Sequence, residues 1–417
     1  MGRKVTAGLL IGALFLAQLI IGSFSHATAA ATVKDNQNLQ AVVTGNFEFA
    51  MELYKKISNS GANNNIFFSP FSISTALSMT YAGARGNTAQ QMVDTMHFRL
   101  SQTDLHPAFG ALSDALKTDN QGYLLEVANA LWGQEGYTFQ SDFLTLIQKY
   151  YNGGFNMVDF AGQTEASRGI INRWVEQNTN NKIKDLLAKG SLTPLTRLVL
   201  TNAIYFKGDW ATKFKPEDTK TAPFHVRPDE TVEVPMMHQS GSFRYAEIDG
   251  VKVLEMPYVG GALSMVVVLP KTALAEFDQT LDPNRLNEWL AKATERDIDI
   301  TLPKFKFEAE YQLRDILSGM GMVDAFDVMS ADLSGISGKK DLYITKVIHK
   351  AVIEVNEEGS EAAAATAVII GVKAVPFKPE FKVDRPFLFF IRHNATGSIL
   401  FLGRVMNPKY KESATGM

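Results

Sequence analysis

The spacing of apolar residues changes from helical to strand-like near residue 197, and this change constrains the fold more than any other feature of the chain. Residues 39–57 carry apolar side chains at helical intervals, and residues 68–96 predict a buried helix, a break and a second helix, with Ser69 and Ser72 as candidate caps. After residue 197, apolar or alternating runs separated by turn residues predict β-strands. Helices followed by strands predict an α+β fold.

Three further segments complete this prediction. Residues 124–131 predict a buried strand inside the mainly helical half, and residues 170–187 predict an amphipathic helix. Near the end of the chain, two apolar runs predict a hairpin that turns at residues 394–397. No internal repeat and no Pro/Gly/Ser-rich linker divides the chain, so we expect one large domain.

The chain contains no cysteine among its 417 residues. Disulfides, thiolate catalysis and cysteine-ligated zinc are therefore excluded. Hydrophobic residues make up 46% of the sequence, which is ample for a large core. Burial of that core must stabilise the fold without covalent crosslinks.

The first 31 residues have the layout of a secretory signal peptide. Arg3 and Lys4 precede an apolar stretch over residues 9–24, and small residues then offer cleavage near Ala29 or Ala31. The alternative is an uncleaved membrane anchor, because the apolar stretch could nearly span a bilayer. Cleavage is favoured because the small-residue site follows the stretch directly, and it predicts a secreted protein with a flexible tail at residues 32–39.

The composition gives no electrostatic reason to bind nucleic acid. Residues 1–31 contain two of the 41 basic residues and none of the 44 acidic ones, so their removal changes the net charge from −3 to −5. A mildly acidic chain lacks the basic surface that phosphate backbones attract. Residues 94–109 contain a single arginine and no basic stripe, so we expect no heparin site either.

Motifs for catalysis or metal binding are missing from the sequence. The seven histidines show no metal-ligand spacing, so we expect no metal and no cofactor. In residues 335–339 (GISGK) the second glycine comes one place too early for a nucleophile elbow. Residues 319–324 (GMGMVD) lack the third glycine and the preceding strand of a dinucleotide loop. Both segments predict turns, and nothing indicates an enzyme.

Residues 356–376 (NEEGSEAAAATAVIIGVKAVP) combine helical and strand composition in one segment. As a strand, the segment would place Ser360 and Thr366 on a small, nearly apolar face and Glu361 on the opposite face. Gly359 can absorb a large backbone rotation, and no proline blocks a hydrogen-bonded ladder before residue 376. The alternative is an alanine-rich surface helix, which composition alone favours. The segment has no amphipathic stripe, so it fits an exposed loop that can also become a strand.

Residues 357–367 (EEGSEAAAATA) resemble the hinge of inhibitory serpins, the serine protease inhibitors that trap a protease by a change of fold. The stretches NNIFFSPFSISTALSM, LTNAIYFKGDW, ITKVIHKAVIEVNEEG and FKVDRPFLFFI are similar to other family segments, so the resemblance extends from about residue 40 to Pro408. On these stretches the resemblance assigns six residues to the regions where the main sheet opens and the loop enters, the shutter and the breach: Asn65, Ser69, Ser72, Asn202, Trp210 and His349.

The resemblance implies a serpin fold of about nine helices and three β-sheets, with an exposed reactive-centre loop near residues 357–380. The serpin domain would span residues 40–410, followed by a tail at residues 411–417. A protease cleaves the loop, forms an acyl-enzyme and is trapped when the loop inserts as a new strand, so stored free energy does the work. The hinge that enters the sheet would comprise Glu357, Glu358, Gly359, Ser360, Glu361, Ala362, Ala363, Ala364, Ala365 and Thr366.

The family spacing predicts the scissile bond at Lys373–Ala374, which favours a trypsin-like target because lysine pairs with the acid of that specificity pocket. Cleavage after Val372 or Val375 would instead suit an elastase- or subtilisin-like protease. We expect a monomeric inhibitor, and the lack of cysteine is compatible with a bacterial or archaeal source.

Two rival interpretations remain. The main rival is a non-inhibitory serpin that serves as carrier, chaperone, storage protein or protease substrate, against which the small hinge residues argue. The second is an unrelated secreted hydrolase, for which the sequence offers no nucleophile–base motif.

Overall fold

A computed structural model of the chain describes residues 37–59, 61, 64–117, 122–152, 154–359 and 378–410. The predicted signal peptide, residues 32–36 of the predicted tail and residues 411–417 lie outside the described residues. The same is true of the reactive bond at Lys373–Ala374 and of the hinge residues from Ser360 to Thr366. Of the predicted hinge, the structure describes Glu357, Glu358 and Gly359.

The described residues form ten α-helices, one more than the nine or so expected from the resemblance. The tenth is a single turn of four residues, which accounts for the difference. Their bounds are α1 37–59, α2 Pro70–Tyr81, α3 Gly86–Met96, α4 Gln102–Leu116, α5 Ser141–Tyr150, α6 Thr164–Asn178, α7 Leu274–Thr280, α8 Pro283–Lys292, α9 Arg314–Gly319 and α10 Ser334–Ser337. Two 3₁₀ turns lie at Pro216–Asp218 and Asp324–Phe326.

Helix α2 is the central helix of the fold, and all twelve of its residues are buried. Ser69 caps its N-terminus by accepting a hydrogen bond from the backbone N–H of Ser72, as the sequence predicted. Pro70 occupies the first turn, where its missing N–H has no intrahelical partner to lose. A helix without a polar face must be covered on all sides, and α2 contacts β-strands of both sheets described below.

Fourteen β-strands are described, in two hydrogen-bonded sheets. The first has five strands in the order β10-β11-β4-β2-β3, and the second has nine, along β1-β14-β13-β8-β7-β6-β9-β12 with β5 beside β6. The strands are β1 Ile66–Phe68, β2 Tyr123–Gln134, β3 Phe155–Val158, β4 Leu198–Gly208, β5 Lys220–Arg227, β6 Glu230–Ile248, β7 Val251–Pro257, β8 Leu263–Pro270, β9 Thr294–Pro303, β10 Phe305–Gln312, β11 Lys346–Val355, β12 Glu380–Lys382, β13 Phe387–His393 and β14 Ile399–Val405.

The resemblance implies three sheets, whereas hydrogen bonding in the structure gives two. The difference arises because β6 belongs to two groups of strands and joins them. This strand is 19 residues long and pairs with β5 over its first part and with β7 over its last part. Its middle part, Met236–Tyr245, pairs with β9. One strand therefore belongs to both groups, and hydrogen bonding merges them into a single nine-stranded sheet.

The helix predicted over residues 170–187 is shorter than expected. Helix α6 begins at Thr164 and ends at Asn178, and the next residues leave the helical conformation. Asn180 and Asn181 have φ values of 49° and 59°, a left-handed conformation that asparagine tolerates better than most residues. The apolar side chains beyond the turn, such as Ile183 and Leu187, still join the core under α6, which explains why their spacing looked helical.

Candidate functional site

Strand β11 ends in a tight turn that reverses the chain over Asn356–Gly359. The N–H of Asn356 donates to the carbonyl of Gly359 at 3.0 Å, and the N–H of Gly359 donates back at 3.3 Å. Gly359 also forms an antiparallel bridge with Asp209, just past the end of β4. The last described residue before position 378 therefore lies between the ends of two neighbouring strands and runs antiparallel to both.

Trp210 binds the backbone of this turn from the β4 side. Its N–H donates to the carbonyl of Glu358 at 2.9 Å, and its indole Nε1 donates to the carbonyl of Asn356 at 3.0 Å. The indole is 1% exposed and stacks on Tyr258 with ring centroids 4.7 Å apart. The sequence assigned Trp210 to the point of loop entry, and the structure places it in contact with the hinge turn.

Glu357 anchors the turn through a partly desolvated ion pair. Its carboxylate lies 2.9 Å from Nζ of Lys304 and accepts a 2.8 Å hydrogen bond from the hydroxyl of Thr219. Burial acts to raise the pKa of Glu357, but the bonds from Lys304 and Thr219 outweigh it and lower the pKa below its usual value. The side chains of Lys304 and Glu357 are 12% and 11% exposed, so water screens this pair weakly.

Gly359 cannot be replaced by a larger residue without moving the hinge. Its φ is +120°, and an added Cβ would lie 2.2 Å from the carbonyl oxygen of Gly208 and 2.6 Å from the N of Trp210. These are backbone atoms, which cannot swing aside as a flexible side chain can. The turn therefore requires glycine for both backbone conformation and space.

The two strands on either side of Gly359 are parallel and separate towards the hinge. Strands β11 and β4 pair directly from Lys346 and Val199 to Val352 and Tyr205. Each strand continues three residues past the last direct pair, and Gly359 lies at that open end. A strand that enters here would be antiparallel to both neighbours, which is the geometry that the Gly359 bridges already have.

A buried polar network joins the same two strands near their middle. His349 on β11 and Asn202 on β4 are opposite each other and both 0% exposed. The backbone N–H of Ser69 donates to Nε2 of His349 at 3.1 Å, so Nδ1 carries the ring proton and donates to Oδ1 of Asn202. Burial lowers the pKa of His349 to about 3, which keeps the ring neutral.

The network extends to the start of helix α2. Asn202 donates from Nδ2 to the hydroxyl of Ser72 at 2.6 Å and to the amide oxygen of Asn129 on β2. The Ser72 hydroxyl donates to the same Asn129 oxygen at 2.8 Å, and the Ser69 hydroxyl donates to the carbonyl of Leu400 at 2.6 Å. Four of the predicted shutter residues are thus brought together, and they connect both sheets through α2.

Asn65 is the predicted shutter residue that the structure places elsewhere. Its side chain binds the backbone after β14, donating to the carbonyl of Asn407 at 2.7 Å and accepting from the N–H groups of Met406 and Asn407. It therefore ties the start of β1 to the C-terminal segment, and it makes no described hydrogen bond with the His349–Asn202 network.

The sequence did not identify four residues that complete these two sites. Asn129 and Tyr311 flank Asn202 and His349 on the adjoining strands, and Tyr311 stacks on the His349 ring. Lys304 and Tyr258 support the hinge turn, as described above. Strand register would have indicated Asn129 and Tyr311, because each lies directly opposite a predicted residue, but register cannot be read from a single sequence.

The structure also bears on metal binding and on membrane insertion. In the part of the chain that it describes, no three His, Asp or Glu side chains come together where they could hold a metal ion. Over the same residues, no helix combines the length and the apolar character needed to cross a membrane.

Comparison with known proteins identifies one family. The sequence model described as Serpin (serine protease inhibitor) matches residues 44–408. The leukocyte elastase inhibitor of Xenopus tropicalis is 46% identical over 381 residues, which is 89% of this chain and all of that protein. An uncharacterised serpin-like protein of Thermococcus kodakarensis is 44% identical over 396 residues, covering 93% of this chain and 91% of the relative.

Two solved structures superpose closely on this chain. Uncleaved ovalbumin superposes with a TM-score of 0.81 at 33% identity, over 88% of this chain and the whole of that one. Maspin superposes with a TM-score of 0.83 at 28% identity, over 89% of this chain and the whole of that one.

Proposed function

The chain belongs to the serpin family, and from this premise we propose that it is a secreted, single-use inhibitor of serine proteases. A target protease cleaves the loop at Lys373–Ala374 and becomes trapped as an acyl-enzyme when the loop enters the five-stranded sheet. The observation that carries this proposal is the position of Gly359, between the parallel strands β4 and β11 and antiparallel to both.

The bridges of Gly359 set the register of an inserted strand. Because Gly359 faces Asp209, each later residue of the loop faces one residue earlier in β4. Ile370 then faces Leu198, the first residue of β4. In the proposed inserted strand Thr366 would face Asn202 on β4 and, counted from the bridge between Gly359 and Asn356, would face His349 on β11.

This register suits the composition of the hinge. Residues directly opposite each other point to the same face, so Thr366 shares the buried face of Asn202 and His349. Ser360, Ala362 and Ala364 would lie on the same face as Thr366, where small side chains would meet the core without clashes. Glu361, on the other face, would lie opposite Lys207, the half-buried residue of a strand that is otherwise buried.

Insertion also gains backbone hydrogen bonds. Direct pairing between β11 and β4 covers seven residue pairs, which must separate. An inserted strand from Ser360 to Ile370 forms a ladder on both of its edges, so it replaces one row of bonds with two longer rows. Each additional bond contributes about 0.5–1.5 kcal/mol net, and together they favour the cleaved, inserted state.

The proposed specificity rests on Lys373, which a trypsin-like pocket would bind through its acid. A second candidate is an elastase-like target, because several relatives are named leukocyte elastase inhibitors and Val372 and Val375 flank the predicted bond. The two candidates differ by one or two bonds in the same loop, so cleavage mapping separates them.

The proposal includes the location and the organisation of the protein. Residues 1–31 would direct export and be removed near Ala29 or Ala31. The sequence predicted a flexible tail over residues 32–39 and a domain over residues 40–410, but residues 37–39 already belong to helix α1, so the inhibitory domain would begin at residue 37. Residues 32–36 and 411–417 would be tails. The inhibitor would act as a monomer without a cofactor, metal, heparin or nucleic-acid partner. Sequencing the N-terminus of the secreted protein from an expressing host tests the export step.

The test of inhibition mixes the purified protein with trypsin and, separately, with elastase, followed by denaturing gels and mass spectrometry of the released peptide. We expect a boiling-resistant band near the sum of both masses and a released peptide that starts at Ala374. A peptide starting at Lys373 or at Pro376 would assign cleavage after Val372 or Val375 and favour the elastase-like target.

Ser360→Arg is the matched variant for this test. Its charged side chain would have to enter the buried face of the sheet, so we expect normal cleavage, no stable band and active protease at the end. If the parent protein also gives clean cleavage with full recovery of protease activity, the inhibitory proposal fails and a non-inhibitory serpin becomes the better description. Full inhibition by Ser360→Arg would contradict the insertion step.

A further inference from the structure

Residues 406–410, the C-terminal segment, lie along the outer edge of the five-stranded sheet. Asn65 fixes the start of this segment, because its side chain accepts the N–H groups of Met406 and Asn407 at 2.7 and 2.9 Å. Further on, the N–H of Lys306 donates to the carbonyl of Lys409 at 3.0 Å. Lys306 belongs to β10, the edge strand, which pairs with β11 on its other side.

This path brings the ring of Tyr410 beside the ion pair of the hinge. Nζ of Lys304 lies 4.5 Å from the centroid of the Tyr410 ring, and the same Nζ lies 2.9 Å from the carboxylate of Glu357. The Tyr410 hydroxyl donates to Glu354 at 3.2 Å, and Glu354 also pairs with Lys306 at 2.7 Å. The hydroxyl end of the ring is thus held on β11, while the face of the ring covers the Lys304 ammonium.

The position of the Lys304 ammonium depends on both of these contacts. The side chain is 12% exposed, so the ammonium has lost most of its water and needs partners inside the protein. Lysine carries its charge on a long, flexible stem and can swing it back into solvent, whereas an aromatic face attracts the cation and keeps it in place. Without the Tyr410 ring the ammonium would be freer to leave Glu357, whose carboxylate would keep Thr219 as its remaining side-chain partner.

The hinge turn is connected to β4 through the residue that this ion pair holds. The backbone carbonyls of Glu357 and Glu358 accept hydrogen bonds from the N–H groups of Phe214 and Trp210, each at 2.9 Å. A carboxylate that is 11% exposed and has lost its cation can regain water only if the turn moves outwards. Such a movement breaks the two backbone bonds, so the amides of Phe214 and Trp210 report whether the turn is closed.

We propose that Tyr410 is a positioning residue for the loop hinge: its ring keeps the Lys304 ammonium on Glu357 and so makes opening of the hinge turn rarer. A turn that opens less often gives the uncleaved loop fewer chances to enter the sheet, so the protein stays an active inhibitor for longer. This second step rests on the proposed function. The first step concerns residues that the structure describes, and it is tested without a protease.

The first test measures hydrogen exchange at the amides of Trp210 and Phe214 by mass spectrometry with fragmentation. Tyr410→Leu removes the aromatic face, so we expect both rates to rise by about fivefold. Tyr410→Phe keeps the face and should stay within about twofold of the parent. Tyr410→Trp offers a ring that binds cations more strongly and should exchange more slowly than the parent, a gain that a misfolded variant cannot give. Amides in the hairpin of β13 and β14 are the internal control and should not change.

A double-mutant cycle shows whether Tyr410 acts through Lys304. In the Lys304→Met background, Tyr410→Leu should change the two exchange rates by less than about twofold, because the cation that the ring positions is missing. In the Lys306→Met background the increase of about fivefold should remain, although Lys306 and Tyr410 share Glu354 as a partner. An equal effect of Tyr410→Leu in the parent and in Lys304→Met would overturn the proposal. Exchange in Tyr410→Phe as fast as in Tyr410→Leu would also overturn it, because the role would then belong to the bond with Glu354.

The second test incubates each protein alone and titrates the remaining inhibition of trypsin over time. The half-life of inhibitory activity should be about fivefold shorter in Tyr410→Leu, close to the parent in Tyr410→Phe and longer in Tyr410→Trp. An unchanged half-life despite faster exchange in Tyr410→Leu would overturn the link between hinge opening and the lifetime of the inhibitor.

The two tests separate this inference from the proposed function. If the parent does not inhibit trypsin or elastase, the proposed function fails, while hydrogen exchange still decides whether Tyr410 positions the hinge. If the parent inhibits but exchange is the same in Tyr410→Leu and in the parent, inhibition stands and the positioning role is wrong. Equal acceleration in the hairpin of β13 and β14 would give Tyr410 a general stabilising role and would likewise overturn the proposal.

Discussion

The imidazole of His349 donates from Nδ1 to the amide oxygen of Asn202 on the neighbouring parallel strand. This bond connects the two strands that the proposed loop insertion would separate. Both side chains are fully buried, so neither can exchange its partner for water while the sheet is closed. Opening the sheet would have to break a desolvated hydrogen bond, and in the proposed mechanism this adds to the barrier against insertion of the uncleaved loop.

We expect the protein to lose stability in mild acid because the buried ring of His349 is held neutral. Its pKa is lowered from 6.5 to about 3 in the folded protein, so the unfolded chain binds the proton more readily. The contribution of His349 is thus complete above pH 6.5 and decreases as the pH falls towards 3. Between pH 7 and pH 5 we expect it to lower the free energy of unfolding by ~2 kcal/mol. Denaturant unfolding at both pH values measures the change.

In His349→Gln, the decrease in the free energy of unfolding between pH 7 and pH 5 should be smaller than in the parent by ~2 kcal/mol. We expect the variant to be less stable than the parent at pH 7. His225→Gln is the control, because His225 is exposed. An equal pH dependence in the parent and in His349→Gln would show that the ring is not held neutral. His106 is also buried, with a pKa lowered to about 4, and His106→Gln should remove a second contribution of similar size.

The ion pair between Lys304 and Glu357 is expected to stabilise the folded protein by holding the hinge turn in place. Lys304→Met removes the cation beside Glu357 and leaves a carboxylate that is 11% exposed with Thr219 as its remaining side-chain partner. We expect a loss of about 2 kcal/mol in the free energy of unfolding and faster spontaneous loss of inhibitory activity on incubation. Because the pKa of Glu357 is lowered from 4.5, this stabilisation is present above pH 4.5 and is lost as the pH falls through the folded-state value.

The matched control for this ion pair is Lys306→Met. Lys306 lies 2.7 Å from Glu354, but both side chains are about one-third exposed, so water screens their interaction. We expect this variant to lose less than about 1 kcal/mol. Equal losses in the two variants would mean that the hinge pair contributes no more than a surface ion pair does.

Gly359→Ala tests the close packing of the turn. A Cβ at this position meets backbone atoms at 2.2 and 2.6 Å, so the turn has to move away from β4. Gly190→Ala provides the comparison, since Gly190 also has a positive φ but an added Cβ there meets no atom within 4 Å. We expect a loss of about 1 kcal/mol for Gly190→Ala from backbone strain and at least twice that for Gly359→Ala. Equal values from thermal unfolding would exclude a steric role for the turn.

The sequence predicted most of the fold because its signals are local. The capped, fully buried helix α2 and the closing hairpin of β13 and β14 follow from the spacing of residues along the chain. Asn129 and Lys304 could not be predicted, because their roles come from strands that are brought together over long sequence separations. The end of α6 was missed because Asn180 and Asn181 break the helix inside an apolar pattern that continues on the far side of the turn.

Thr366 provides the most specific prediction of the insertion register. Counted from the Gly359 bridges, its side chain would enter between His349 and Asn202 in the proposed inserted strand and would replace their direct bond. A threonine hydroxyl can accept from Nδ1 of His349 and donate to Oδ1 of Asn202, so it satisfies both groups at once. The proposed inserted state therefore keeps the network paired while the strands separate.

Thr366→Val removes the hydroxyl and keeps the shape of the side chain. The intact protein and its rate of cleavage by trypsin should be unchanged, because the residue acts only after insertion. The cleaved protein should lose about 1–3 kcal/mol in denaturant unfolding, since the variant leaves a buried donor and a buried acceptor unpaired. Thr366→Ser should restore most of that loss. If cleaved Thr366→Val is as stable as the cleaved parent, Thr366 does not lie between His349 and Asn202, and the register set by Gly359 is not the one that the inserted strand adopts.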